Sequence, residues 1–351
     1  MRPDTLEQLR VDIENLETCA ELLKLGSHVK ARTALIVLDH ISEIFLLREC
    51  QGILEKDSLF KWVLPPKLRA RDRARITRNF HEKLELLQKE DFLSPSEVTV
   101  LTISHSYRNA IYHRDTHNPS TIDILAKIGF LTVLDLFERS GDNCAIGNSA
   151  GLAVDWLKPY YGSRLSNTHI DITEARKTVA DKLRTGINVS RAEATAALAE
   201  DIESRTNRLV SRIAEFTGDS LDWLDKTIRR LEFEEKHEEL MDELSEPHRQ
   251  VRYRIQGQNK PTIEEYEQTE ASYKSSLNAA LDAFSPTYTV ESIRAFRSLS
   301  KQLESSHSLS ELLSLYNTQD QAVNKAELYI HKVEAIIDEA VQMEIDRARG
   351  K

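Results

Sequence analysis

The chain has 351 residues, a formal net charge of −10, and 40% hydrophobic and 30% charged residues. That is about twice the length of a typical domain, with enough apolar side chains to bury a core, which excludes a wholly disordered chain. Gly (11) and Pro (9) are each about 3% of it, against the roughly 7% and 5% of average proteins. Folds with many strands need both at tight connections, so two domains of an all-α fold are expected.

The N-terminal elements punctuate themselves. Asp4 and Glu7 resemble a capping box opening a helix that closes near Gly26, and Ser27 caps a second that runs to Gly52. The second carries Ala34, Leu35, Ile36, Val37, Leu38, Ile41, Ile44, Phe45, Leu46 and Leu47, apolar on nearly every side, as a helix at the centre of a bundle is. After Pro65 and Pro66 a third helix covers 70–90. Ser94, Pro95 and Glu97 start a fourth, which ends between His113 and His117, and Ser120 and Asp123 open a fifth that stops at Ser140 and Gly141. These five helices define an up-and-down bundle over residues 1–145.

Gly141, Gly147, Gly151 and Gly162 are the densest glycines of the chain, so residues 146–172 read as a junction with one short helix near Trp156. Helices then follow at 173–184, 191–217 after the capping pair Ser190 and Glu193, 219–245, 262–282, 288–304 and 318–348. Residues 173–351 are expected to form a second, helical domain.

No run reaches the roughly 18 apolar residues of a membrane span, because Leu35 to Leu47 is interrupted by Asp39, His40 and Glu43. Cys19, Cys50 and Cys144 are odd in number and lack a C-x-x-C pair, so neither a disulfide framework nor a zinc knuckle is indicated. With acids throughout the first 25 residues and no signal-peptide core, a cytoplasmic location is expected and no membrane partner.

The acidity is uneven. Residues 1–150 hold 20 basic and 22 acidic side chains, and residues 151–351 hold 27 and 35. Lys67, Arg69, Arg71, Arg73, Arg75 and Arg78 lie within twelve residues against one acid, Asp72. Such a run either holds phosphates or is a solvated face before a helix.

Among catalytic signatures, Gly147-Asn148-Ser149-Ala150-Gly151 fits G-x-S-x-G, but that motif works on a turn from strand to helix and no strand pattern precedes it. Neither a P-loop nor a G-x-G-x-x-G is present, so no nucleotide cofactor is expected. Asp39, His40 and Glu43 lack a second ligand pair at bundle spacing and read as satisfied core polar groups, so no metal site is expected.

The fourth helix carries Ser104-His105-Ser106-Tyr107-Arg108-Asn109-Ala110-Ile111-Tyr112-His113. Arg108 and His113 are five apart, with Asn109 one turn before His113. Arg offers a fixed fork of donors for a phosphate, His takes and returns a proton near neutral pH, and Asn orients either. The same three also fit a salt-bridged helix end, with Asp115 or Glu43 as partner.

An Arg followed by a His after four to six intervening residues occurs four times: Arg75 to His81, Arg108 to His113, Arg164 to His169 and Arg230 to His237. Spacing alone therefore selects nothing. Only Arg108 is followed by a polar residue and lies on a late helix of the N-terminal bundle. There the chain resembles the HEPN domains, whose ribonuclease members carry Arg, a polar residue and a short stretch ending in His on such a helix. Leu38-Asp39-His40-Ile41-Ser42-Glu43 also looks like that family's central helix.

The resemblance covers residues 1–145 and implies a metal-independent endoribonuclease, a toxin or anti-phage effector, that forms a homodimer through the bundle. Arg108, Asn109 and His113 would be catalytic, with Asp39, Glu43 and His105 in support. Lys67, Arg69, Arg71, Arg73, Arg75, Arg78, Tyr112 and Arg114 would hold the RNA. A regulatory protein or phage-derived trigger would engage the second domain. The alternative is a non-catalytic helical adaptor or RNA-binding protein on a degenerate bundle of this kind.

Overall fold

A helix that is apolar on every side is stable only where other helices surround it. In the computed structural model, which describes residues 4–59, 68–113, 118–141, 145–147, 153–166, 169–256 and 262–349, α2 (His28–Leu59) has that position. It packs against α1 (Asp4–Lys24), α3 (Ala70–Arg78), α4 (Phe80–Lys89), α5 (Pro95–His113) and α6 (Pro119–Arg139). Leu35, Leu38, Phe45 and Leu46 of α2 are buried with Leu9, Ile13 and Leu16 of α1 and Phe130 and Phe137 of α6, and the Phe45 and Phe137 rings stack at 6.1 Å. Among the described residues the fold is all-α apart from a two-stranded antiparallel ribbon, β1 (Ala145–Gly147) with β2 (His169–Asp171). No helix among the described residues is long and apolar enough to cross a membrane.

The chain divides into two units, residues 1–201 with 303–317 and residues 202–302 with 318–351. The first continues past the glycine-rich stretch because α8 (Ile172–Arg184) packs on α6 and α1, burying Ile172, Ala175 and Val179. Between the ribbon strands the chain makes a 3-10 turn at Asp155–Leu157 and the short α7 (Lys158–Tyr161). The divide falls within two long helices, α9 (Arg191–Ala214) and α15 (Leu309–Ala348).

In the second unit α10 (Asp219–Lys236), α11 (Glu238–Gln256), α12 (Ile263–Ala283), α13 (Val290–Ala295) and the first part of α14 (Leu299–Glu304), to residue 302, join the remaining parts of those helices. Arg205, 3% exposed, bonds Asp320, Asn324 and Glu327. The fully buried Glu232 accepts the backbone N–H groups of Thr287 and Tyr288 at 2.9 and 3.0 Å, closing the loop before α13.

Several boundaries differ from the expected ones for local reasons. α2 runs through Gly52 to Leu59 because Cys50 and the buried Leu54 continue its packed side, outweighing the roughly 1 kcal/mol that a mid-helix Gly costs. Residues 70–90 are two helices. Asn79 is extended (φ −104°, ψ 129°) and its side chain caps α4, accepting from His81 N at 2.9 Å and Glu82 N at 3.4 Å. α6 is capped by Asn118, which accepts from Ser120 N at 2.9 Å, with Pro119 at its first position. Residues 219–245 break at His237, 288–304 form two short helices around a 3-10 turn, and the last helix begins at Leu309, where Ser308 Oγ accepts from Glu311 N at 3.1 Å.

Removing the cap between α3 and α4 tests whether that break is built in. Asn79→Ala is expected to lower stability by about 1 kcal/mol, read as a shift in the denaturant midpoint with an unchanged slope.

Candidate functional site

The acids of α2 have partners on the helices that cover them. Asp39 has a side chain only 1% exposed, a position an ionised group tolerates only when it is bonded. His105 Nδ1 lies 3.0 and 3.2 Å from its two oxygens, and Arg108 Nε lies 3.4 Å from Oδ2. A carboxylate only accepts, so Nδ1 of His105 carries the hydrogen and Nε2 is the uncommitted ring nitrogen. Arg108 Nη1 donates to Asn109 Oδ1 at 2.9 Å. The Arg108 side chain is 31% exposed, so the guanidinium joins a buried carboxylate to the surface. One turn along α2, Glu43 pairs with the buried Lys83 of α4 at 3.2 Å. His40 is exposed and takes no part.

The break at Asn79 brings α4 against this cluster. The Phe80 ring lies flat on His105, with centroids 4.0 Å apart and planes 7° apart. The exposed His81 stands edge-on to His105 at 6.4 Å and 83°. Sequence reasoning singled out neither residue; the signal was Asn79, an N-cap residue inside a stretch read as one helix.

The arginines of the basic run divide by role. Arg73 turns inward, donating to Ser58 Oγ at 2.6 Å and Leu54 O at 3.0 Å and pairing with Asp57, so it pins α3 to the end of α2. Arg75 pairs with Glu82 at 2.9 Å but stays 60% exposed. Arg69, Arg71 and Arg78 are exposed and make no ion pair among the described residues. Arg71, Arg75 and Arg78 line an open groove of about 460 Å³ with Ala74 and Asn79. A larger depression of about 600 Å³ lies away from Arg108, between the start of α6 and α9, and carries Asp123, Glu193 and Glu200 with one lysine, Lys127.

Tyr107 faces away from this cluster. It is 2% exposed, and its hydroxyl donates to Asp201 Oδ2 of α9 at 2.9 Å and meets Tyr316 of α15, whose own hydroxyl donates to the same oxygen at 2.8 Å. Tyr107 is thus a core residue. Cys19 and Cys50 are buried, and burial pushes both thiols up to about 12, so neither is a nucleophile at neutral pH.

Lys67, Arg114 and Asp115 lie outside the described residues, as do the side chains of Tyr112 and His113; the backbone at 112 and 113 is helical. Ser149 of the G-x-S-x-G match also lies outside them. A three-residue strand does precede it, contrary to expectation, but it belongs to the two-stranded ribbon and not to a parallel sheet. Among the described residues no group of three or more His, Cys, Asp or Glu is placed to hold a metal ion.

Compared with known proteins, the chain matches no family model, no curated protein and no solved structure.

The helix that carries Arg108 is anchored at its start by a reciprocal cap. Ser94 N and Oγ both donate to Glu97 Oε2 at 2.8 Å, Glu97 N donates to Ser94 Oγ at 3.3 Å, and Arg139 of α6 donates to Glu97 Oε1 at 2.6 Å. Burial pushes the Glu97 carboxyl up, but these bonds outweigh it and hold it below the ordinary value. A depressed carboxyl stabilises the fold above the unfolded value of about 4 and loses that contribution as pH falls through the folded value. The denaturation midpoint is therefore expected to fall more between pH 7 and pH 3 in the wild type than in Glu97→Gln.

Proposed function

We propose that this chain is a metal-independent endoribonuclease of the HEPN kind, cutting RNA by attack of a 2′-hydroxyl on the adjacent phosphodiester and serving as a toxin or anti-phage effector. The observation that carries the reading is that Asp39, His105, Arg108 and Asn109 come together along the C-terminal half of α5, combining an imidazole, a guanidinium and the groups that orient them. The guanidinium fork stabilises charge growing on the phosphoryl oxygens, and Asn109 holds the fork. His113, just over one turn beyond Arg108, is the residue to which the resemblance gives proton transfer. The groove beside Arg71, Arg75 and Arg78 follows the RNA backbone. In this reading two bundles pair so that their motifs share one cleft, and the C-terminal helices take a regulatory protein or phage-derived trigger in the cytoplasm.

The ion pair of Arg108 with Asp39 also favours a second reading, in which the cluster is structural and the protein is a non-catalytic adaptor or RNA-binding protein. Cleavage of a labelled RNA in EDTA with end-group analysis separates the two. The expected products are a 2′,3′-cyclic phosphate and a 5′-hydroxyl, with no cleavage of DNA, which lacks the attacking group. His113→Ala is expected to lose about 10²- to 10⁴-fold. Arg108→Lys, which keeps a charge beside Asp39 without the fork, is expected to lose about 10²- to 10³-fold. Cleavage that stops in EDTA, leaves 5′-phosphates or survives in His113→Ala overturns the ribonuclease reading.

Binding is separable from cleavage. Arg71→Glu with Arg78→Glu is expected to weaken RNA binding irrespective of sequence and flatten its salt dependence, whereas Arg73→Glu lowers stability through the lost Asp57 bond. Titrations at several salt concentrations, with thermal melts of each variant, check this.

A further inference from the structure

Cleavage of RNA by its own 2′-hydroxyl needs two proton transfers, one from the attacking oxygen and one to the departing 5′-oxygen. The family resemblance names one histidine per bundle. α5 carries a second, His105, which stands one turn before Arg108 as His113 stands just over one turn after it. At 1.5 Å per residue Arg108 lies about 4.5 Å along the axis from one and about 7.5 Å from the other. His105 and Arg108, three residues apart, thus share one side of the helix, and His113 follows them in the chain.

The surroundings of His105 fix it as proton-transfer groups are fixed. The nearly inaccessible Asp39 takes its Nδ1 hydrogen at 3.0 Å, which sets the tautomer and stabilises the imidazolium formed when Nε2 gains a proton. Phe80 covers one ring face at 4.0 Å, so the ring is held by its plane as well as its edge. No other group among the described residues bonds Nε2. The side chain is 19% exposed, and the exposed His81 stands beside it. Asp39 of α2 and His81 of α4 meet the ring directly, Arg108 of α5 shares Asp39 with it, and the Glu43–Lys83 and Arg75–Glu82 pairs stand on the neighbouring helices.

We infer that His105 is the general base of the cleavage, with Asp39 as its positioning residue and His113 as the general acid. The inference rests on the proposed ribonuclease reading. Nε2 of His105 takes the 2′-hydroxyl proton as the 2′-oxygen bonds to phosphorus, the bond from phosphorus to the 5′-oxygen breaks, and that oxygen takes a proton from protonated His113. His105 then gives its proton to water and His113 regains one, leaving the cyclic phosphate and the 5′-hydroxyl.

The experiment pairs two variants with two substrates. His105→Asn keeps an amide donor near the Nδ1 position for Asp39 and removes the basic nitrogen. The substrates are an ordinary RNA and one whose scissile 5′-oxygen is replaced by sulfur, a leaving group that needs no protonation. His105→Asn is expected to be slower by at least about 10²-fold on both substrates and to lose the acid limb of the pH–rate profile. His113→Ala is expected to be slow on ordinary RNA, to recover on the sulfur substrate, and to lose the alkaline limb. Asp39→Asn, with the His105 ring no longer anchored by a carboxylate, is expected to move the acid limb, which a merely structural role would not do. Thermal melts confirm that each variant is folded. Wild-type rates and an unchanged profile in His105→Asn overturn the inference while leaving the ribonuclease reading in place, and rescue of His105→Asn by the sulfur substrate overturns its assignment as base. If the wild type cuts neither substrate, the ribonuclease reading and this inference fall together.

Discussion

A carboxylate inside an apolar helix sets the constraint on which the first unit turns. Leaving Asp39 ionised and unpaired in the core would cost several kcal/mol, so the helix across from it must bring a hydrogen-bond donor and a cation to one point on α2. His105 and Arg108, three residues apart on one side of α5, do so. With those bonds made, α5 has one register against α2, because sliding it by a residue would turn both side chains off the carboxylate. Glu43 and Lys83 repeat the device one turn along and fix α4 in the same way. Packing of Leu, Ile and Phe tolerates rearrangement among near-equal arrangements; ion pairs at this depth do not.

The second unit applies the same device without any grouping that suggests chemistry. Arg205 gathers Asp320, Asn324 and Glu327 along one side of α15, and Glu232 is consumed by backbone N–H groups of a loop. Every strong acceptor in those networks already has a donor from the protein. At Asp39 the case differs, since the guanidinium and the imidazole that satisfy the carboxylate also reach toward solvent.

Much of this was legible in the sequence wherever one residue type carries one meaning. Ser94-Pro95-x-Glu97 and Ser190-x-x-Glu193 are reciprocal caps in the structure, and the all-round apolar stretch of α2 is central. Where local and tertiary preferences compete, the sequence misled. Gly52 looks like a stop, but Leu54 beyond it is buried and the helix continues. Asn79 lies in a run of good helix formers, and only its capping bonds reveal the break. Ser308-x-x-Glu311 carries the same signal as Ser94-x-x-Glu97 and starts the last helix at Leu309 rather than at 318. The acids of α2 were visible as exceptions in an apolar run, but which residues they bind depends on α4 and α5, at separations of about 40 and 66 residues, which no local pattern encodes. Arg73 shows the reverse: in a basic run it looks like its neighbours, and only Asp57 distinguishes it.

Tyr107 has a consequence for how the molecule is made. Its hydroxyl meets Asp201, 94 residues further on, and Tyr316, 209 residues further on. The helix that carries Arg108 is therefore backed by chain that leaves the ribosome long after it. During synthesis at roughly 5 to 20 residues per second, residues 95–113 spend ten seconds or more with a tyrosine exposed where the finished protein has a sealed wall. A nascent chain holds every member of the Asp39 cluster and still lacks the surface that braces them. Its maturation is set by when the last helix arrives, and not by the completion of the first five.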